Sequence, residues 1–308
     1  MKYCSFLLPF LLLCVTAAAQ DVPATEAMGI LGIPRSSVRS GMAGAGSASV
    51  TAPAAFAAFD NPAVLPWATN KVEAALSYGR WAPSATGGSL SDNIGAAVAG
   101  KPFRALALSA AVVNQAHPVM DFGGDYGSFK PLDGMAALGA GVSFGKHFSL
   151  GASFIFAQQR LMADYTLNAF AFNVMAQYHA AHFDVTAGVI NAGGKVKAEN
   201  GTAYPLPASA RLGGDYHTSF GKSGIEAALD ADCYFTGKFG ASLGLQYSYN
   251  DLLFARAGYR YATQGAALPS HFALGLGVKW KGFRLDGSFL TANPNIGNSF
   301  LITIGYCY

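Results

Sequence analysis

From position 71 onward, hydrophobic and polar residues alternate with a period close to two. In "HFALGLGVKW" (271–280), Phe272, Leu274, Leu276, Val278 and Trp280 share one parity, and His271, Ala273, Gly275, Gly277 and Lys279 share the other. "KFGASLGLQYSY" (238–249) and "GIEAALDADCYF" (224–235) behave alike. Such alternation predicts strands, because successive side chains of a strand point to opposite faces. The pattern predicts about fourteen strands, at 71–82, 92–100, 103–114, 133–144, 148–158, 165–178, 183–192, 208–220, 223–234, 238–249, 252–262, 270–280, 283–291 and 298–308. Alternate connections are tight, such as Gly221-Lys222, Asn250-Asp251 and Lys281-Gly282. Those between them are longer, above all 115–132 and 193–207.

Composition decides what the strands build. The chain has 308 residues, 52% hydrophobic and only 12% charged, too few charges for an ordinary soluble surface. The parity opposite the apolar one is Gly, Ser and scattered charges rather than Lys and Glu. After the first residues no apolar run is long enough for a membrane-spanning helix. A transmembrane antiparallel β-barrel of about fourteen strands satisfies both facts, with the apolar parity on lipid and aromatic residues at the strand ends. Short turns on one side and long loops on the other place both termini on the periplasmic side of an outer-membrane barrel. The last strand, "NSFLITIGYCY", ends on an aromatic residue. The net charge of +3 without a basic run argues against nucleic acid.

Residues 1–19, "MKYCSFLLPFLLLCVTAAA", combine Lys2, an apolar stretch and a run of alanines, which predicts a signal peptide cleaved after Ala19. Residues 20–70 lack the alternation. "SGMAGAGSASVTAPAAFAAFDNPAVLPW" (40–67) is mostly Gly, Ala and Ser, with Phe56, Phe59, Leu65 and Trp67 as large anchors. Irregular backbone is tolerated inside a membrane protein only where protein or a watery cavity surrounds it. The expectation is therefore a plug at 20–70 inside a barrel of 71–308, with Asn61-Pro62-Ala63 as a turn. The bland alternative is a flexible leader.

Here the residues resemble a family. "GMAGAGSASV" (41–50) followed by "NPAVL" (61–65) is similar to the N-terminal signature of FadL-type outer-membrane proteins. "VTAGVINAGG" (185–194), "LPASARLGGDY" (206–216) and "FARAGYRY" (254–261) resemble stretches of the PorV/PorQ branch, with Ala192 where that branch carries a bulky apolar residue. The resemblance implies a fourteen-stranded barrel with an N-terminal hatch. Its PorV/PorQ part implies a non-enzymatic component of type IX protein secretion, with a translocon or secreted cargo as partner. Its FadL part implies a channel for hydrophobic small molecules, gated by the plug and lined by Phe56, Phe59 and Trp67. A structural barrel without transport is the third possibility.

Chemistry-bearing residues are sparse. No nucleophile elbow or phosphate loop occurs, so no enzyme and no cofactor are expected. His179 and His182 form an H-x-x-H pair, read as a solvated turn because no carboxylate is evident nearby. Asp121, Asp125 and Asp133 match no calcium-loop spacing and read as a solvated loop. If Gly221-Lys222 is a two-residue turn, Arg211 lies opposite Asp232 and His217 opposite Glu226, all on the inward parity. Arg256, Arg260, Lys279, Arg284 and Asp286 join them there. These charges either contact a solute or plug, or pair with one another.

Overall fold

The computed structural model describes residues 26–81, 91–121, 123, 127–162, 164–291 and 298–308. The predicted signal peptide and Asp125 lie outside the described residues. Fourteen strands form the wall: β1 (Val72–Trp81), β2 (Ser91–Gly100), β3 (Leu106–Ala116), β4 (Leu132–Phe144), β5 (Phe148–Met162), β6 (Tyr165–His179) and β7 (Phe183–Gly193), then β8 (Ser209–Phe220), β9 (Ser223–Tyr234), β10 (Phe239–Tyr249), β11 (Leu253–Ala262), β12 (His271–Trp280), β13 (Phe283–Thr291) and β14 (Ser299–Cys307). Each pairs antiparallel with its neighbour in sequence, and β14 returns to β1, closing the barrel. Closure leaves no strand edge unpaired in lipid.

The exposed parity is apolar all round, with Leu76, Ile94, Leu138, Leu243, Leu274 and Leu276 more than half exposed. An isolated soluble domain would not present such a surface, so the wall spans a membrane by its strands. Aromatic rings cluster at the strand ends near the tight turns. Phe148 and Phe183 pack on Tyr178 at 5.1 and 5.7 Å, and Phe283 on Tyr306 at 4.9 Å. Tyr308 exchanges hydrogen bonds with Val72, so the chain enters and leaves the barrel at this same end.

Two strands depart from their predicted bounds. β3 begins at Leu106 rather than 103, since Pro102 has no N–H for a ladder and the next residues make the turn. β5 continues to Met162, past the expected 158. There Gln158 bonds Asn168 on β6 at 2.9 Å on the outer face, so this hairpin continues beyond the apolar band where alternation no longer marks a strand. The β6–β7 ladder is also interrupted, its register shifting between Phe172 and Val174, with Asn191 at φ 55°. That is a β-bulge on the strand bearing the Asn-x-Gly stretch.

Residues 26–70 touch opposite parts of the wall on its buried parity. Helix α1 (Ser37–Gly41) packs on β11–β14, and the 3-10 turns Ala57–Phe59 and Pro62–Trp67 pack on β3–β6. Most of this segment is buried.

Candidate functional site

The geometry of interest is the seam between the interior segment and the wall. Asn61 caps the Pro62–Trp67 turn: its side chain accepts from the Ala63 N–H at 2.9 Å, and proline at the first helical position needs no N–H partner. The Asn61 amide lies within 3.0 Å of the Ser47 carbonyl, Gln177 and Thr186, tying the turn to its own segment and to β6 and β7. Pro62 and Ala63 fit into the wall only because it is bare there. A methyl group on Gly151 would overlap the Ala63 nitrogen, and one on Gly141 the Pro62 carbonyl.

The three aromatic anchors do not meet around one pocket. Phe56 and Phe59 are buried in a packed cluster with Ile30, Leu31, Met135 and Ile155. Phe59 also borders a cavity of about 50 Å³ and Phe56 another of about 20 Å³. Trp67 stacks on His179 at 4.9 Å and donates to the Ser149 hydroxyl at 2.7 Å.

The charges of β8–β13 form pairs. Arg211 and Arg260 converge on Asp232 at 2.6 and 3.1 Å, and Arg260 also donates to the Tyr234 hydroxyl. Arg256 and Arg284 share Asp286 at 2.9 and 2.6 Å, with Arg256 donating to Gln246 as well. Lys279 sits at the rim, paired with Asp251 in the turn. His217 lies opposite Glu226 in the ladder, but its ring turns instead to Asp215 at 3.2 Å and Asp184 at 3.5 Å. Glu226 accepts from Ser49 and Thr51 of the interior segment and from Gln246.

The segment contributes charges of its own that strand reading does not reach. Arg39 bridges Asp60 at 2.9 Å and Asp230 on β9 at 3.2 Å, and Arg35 reaches Asp60 at 3.5 Å. Burial alone would push the Asp60 carboxyl up, but Arg39 and Arg35 outweigh it and hold it below the usual carboxylate range. Burial likewise pulls the Arg35 guanidinium down to about 10. No spacing rule places Arg35 beside Arg39, because Arg35 precedes the helix and Ser36 between them is extended.

Two readings of the loops need correction. His179 is not a solvated turn residue: its Nδ1 lies 2.6 Å from Asp184, the carboxylate that the H-x-x-H reading lacked, brought opposite it by the β6–β7 ladder. Asp133 is not in a solvated loop but buried on β4, 2.9 Å from His117. Asp121 is exposed and accepts from the Gly123 N–H.

Together these features define a membrane-spanning fourteen-stranded barrel whose buried face contacts residues 26–70 of the same chain. The same fold is found in the toluene transporter TbuX of Ralstonia pickettii (TM-score 0.61, 14% identity, 88% of this chain and 97% of that one). It is found also in the Pseudomonas putida toluene transporter TodX (TM-score 0.60, 14% identity, 92% and 98%) and in a Pseudomonas aeruginosa FadL homologue (TM-score 0.55, 12% identity, 93% and 98%). No family model and no curated protein matches the sequence. The solved structures it resembles thus include transport channels, and at 12–14% identity the likeness is one of fold. The PorV/PorQ part rests on its sequence stretches alone.

Proposed function

We propose that the protein is an outer-membrane conduit for hydrophobic small molecules, with residues 26–70 as its hatch and the tight turns and both chain ends on the periplasmic side. The observation carrying this reading is the packing of residues 26–70 against the buried face of the wall, with cavities of about 50 and 20 Å³ along that seam. A solute therefore needs the segment to shift, and an apolar one meets a stretch of wall built of small side chains. On the lipid face, across β13, β14 and β1–β3, lies an apolar recess of about 520 Å³ bordered by Leu76, Val98, Val112 and Phe283. Its floor is Ala74, Ala96 and Ala110, and directly behind it the inward positions are Ala75, Ala97 and Ala111, so no large side chain belongs to the wall at this point. A methyl group on Gly95, on the inner face beside it, would meet the Phe56 ring.

The stretches that resemble the secretion-associated branch have a physical explanation here that does not depend on secretion. Asn191, Gly213 and Gly258 all lie against the interior segment: Asn191 reaches the Leu31 carbonyl, and side chains on Gly213 and Gly258 would strike Ser47 and Met42. Each of them thus has a packing role against residues 26–70 that does not depend on what is transported.

The test is uptake of radiolabelled toluene by cells expressing this barrel in place of their own hydrophobic-compound channel. Uptake above the empty-vector rate is expected, with Ala96→Trp combined with Ala110→Trp, which fill the recess, reducing it. Uptake equal to the vector, together with co-purification of a large translocon or secreted protein in stoichiometric amount, would overturn the reading in favour of secretion.

A further inference from the structure

A second site, independent of transport, lies at the tight-turn end of β7 and β8. Asp184 and Asp215 face each other across these strands, and His217 stands two residues beyond Asp215 on the same face. The ligating atoms of the three lie within 4.8 Å of one another. Both carboxylates are buried, at 0% and 4% exposure, and each keeps an oxygen, Oδ2, with no hydrogen-bond partner. Asp184 Oδ2 lies 3.5 Å from His217 Nδ1, too far for a good hydrogen bond. The other Asp184 oxygen is held by His179, itself stacked on Trp67.

Imidazole is the one counter-charge here. Glu226 meets Asp215 from β9, and among the described residues Asp184 and Asp215 are paired with His179 and His217 and with no Lys or Arg. Elsewhere in this lumen every aspartate of β9 and β13 is met by arginine. Three close carboxylates against two imidazoles are costly when buried, and a divalent cation removes the cost. The spacing suits one. Four ligands about 2.1 Å from a tetrahedral ion stand about 3.4 Å apart, and His217 Nδ1 lies 3.5 Å from the unpartnered Asp184 Oδ2 and 3.2 Å from Asp215 Oδ1, its hydrogen-bond partner, which the ion would replace.

The geometry points to a divalent transition-metal site, best matched to zinc, formed by Asp184, Asp215 and His217, with His179 orienting Asp184. Mixed imidazole and carboxylate donors suit zinc better than calcium or magnesium, which take oxygen ligands. The ion joins β7 to β8 at the end opposite their long connection, 194–208, and sits beside the Trp67 anchor of the interior segment. It is a staple of the rim rather than a reaction centre.

The test uses the full-length barrel in detergent, purified without a histidine tag and stripped with a chelator. Equilibrium dialysis against zinc is expected to return one ion per chain, and cobalt in its place to give the intense visible absorption of a tetrahedral site. Asp215→Asn and His217→Gln should each weaken zinc binding at least about 100-fold, with folding verified by the heat-dependent gel migration of closed barrels. Zinc should also raise the temperature of that migration change in wild type only. Wild-type protein that takes up no zinc or cobalt at micromolar concentration would overturn the assignment. Zinc uptake that the folded variants retain would overturn it equally.

Discussion

The two sides of the lumen hold the interior segment in different ways. On β2–β6 the inward residues are overwhelmingly neutral and often small, such as Ala97, Ala111, Ala137, Gly141 and Gly151. There the segment is gripped by shape, with Phe56 and Phe59 in a packed cluster and Pro62-Ala63 against bare backbone. On β8–β13 the lining is Arg211, Asp230, Asp232, Arg256, Arg260 and Asp286, and the segment is met by paired charges and by Ser47 donating to Asp230. Close packing loses its energy over fractions of an ångström. Buried ion pairs contribute little net stability over an apolar equivalent, because desolvation offsets their attraction. The neutral side is thus the anchor, and the charged side is where the segment can exchange protein partners for water at low net cost.

The largest expected effect breaks the charged side by orphaning cations. Asp232→Asn leaves Arg211 and Arg260 buried with no carboxylate partner and should cost about 3–5 kcal/mol, read as a lower temperature of heat-dependent gel migration. Gly151→Val attacks the neutral side and should cost about 1–3 kcal/mol. Its informative readout is limited proteolysis, since the Asn61–Pro62 turn has to leave its seat and expose residues 51–70. If Gly151→Val left that segment fully protected, anchoring by shape would be wrong.

Asn61→Ala removes a cap and a link to β6 and β7 together, for about 1–2 kcal/mol, with the same proteolytic readout but weaker. Acid sharpens the contrast. The Asp60 carboxyl is held below its usual range, so its stabilisation is fully present above the ordinary carboxylate pKa of about 4 and is lost as pH falls through the lower folded value. Protection of the segment should therefore persist at pH 5 and decline in stronger acid, and Asp60→Asn should remove that share of the decline. The smallest effect is expected for Lys279→Ala, whose partner Asp251 is 72% exposed, at below about 1 kcal/mol.

The wall was legible because two solvents, lipid outside and a crowded lumen inside, impose a period of two on every strand that separates them. Gly221-Lys222 also made one cross-strand register readable, so Arg211 could be set opposite Asp232. The same logic could not find Asp184 as a partner of His217, because it lies on β7, which a long connection joins to β8; Asp215, two residues earlier on the same parity, was within its reach. Nor could it find Asp184 opposite His179, since there the strand turns through Ala180-Ala181-His182 and the H-x-x-H spacing drew attention to the wrong pair. The contacts of the interior segment are non-local: Ser37 with Thr303, Ser47 with Asp230, Ser49 with Glu226. Its composition of Gly, Ala and Ser spoke for tight confinement but not for which strand each residue meets.

That Ser37–Thr303 contact has a consequence for biogenesis. It joins α1 to β14, so the part of the chain made first is completed by a strand made almost last, and Tyr308 then bonds Val72 to seal the ring beside it. Residues 26–70 run directly into β1 and touch β14 through α1, so they lie beside the junction that closes the ring. Their bulk there limits how narrow the ring can close.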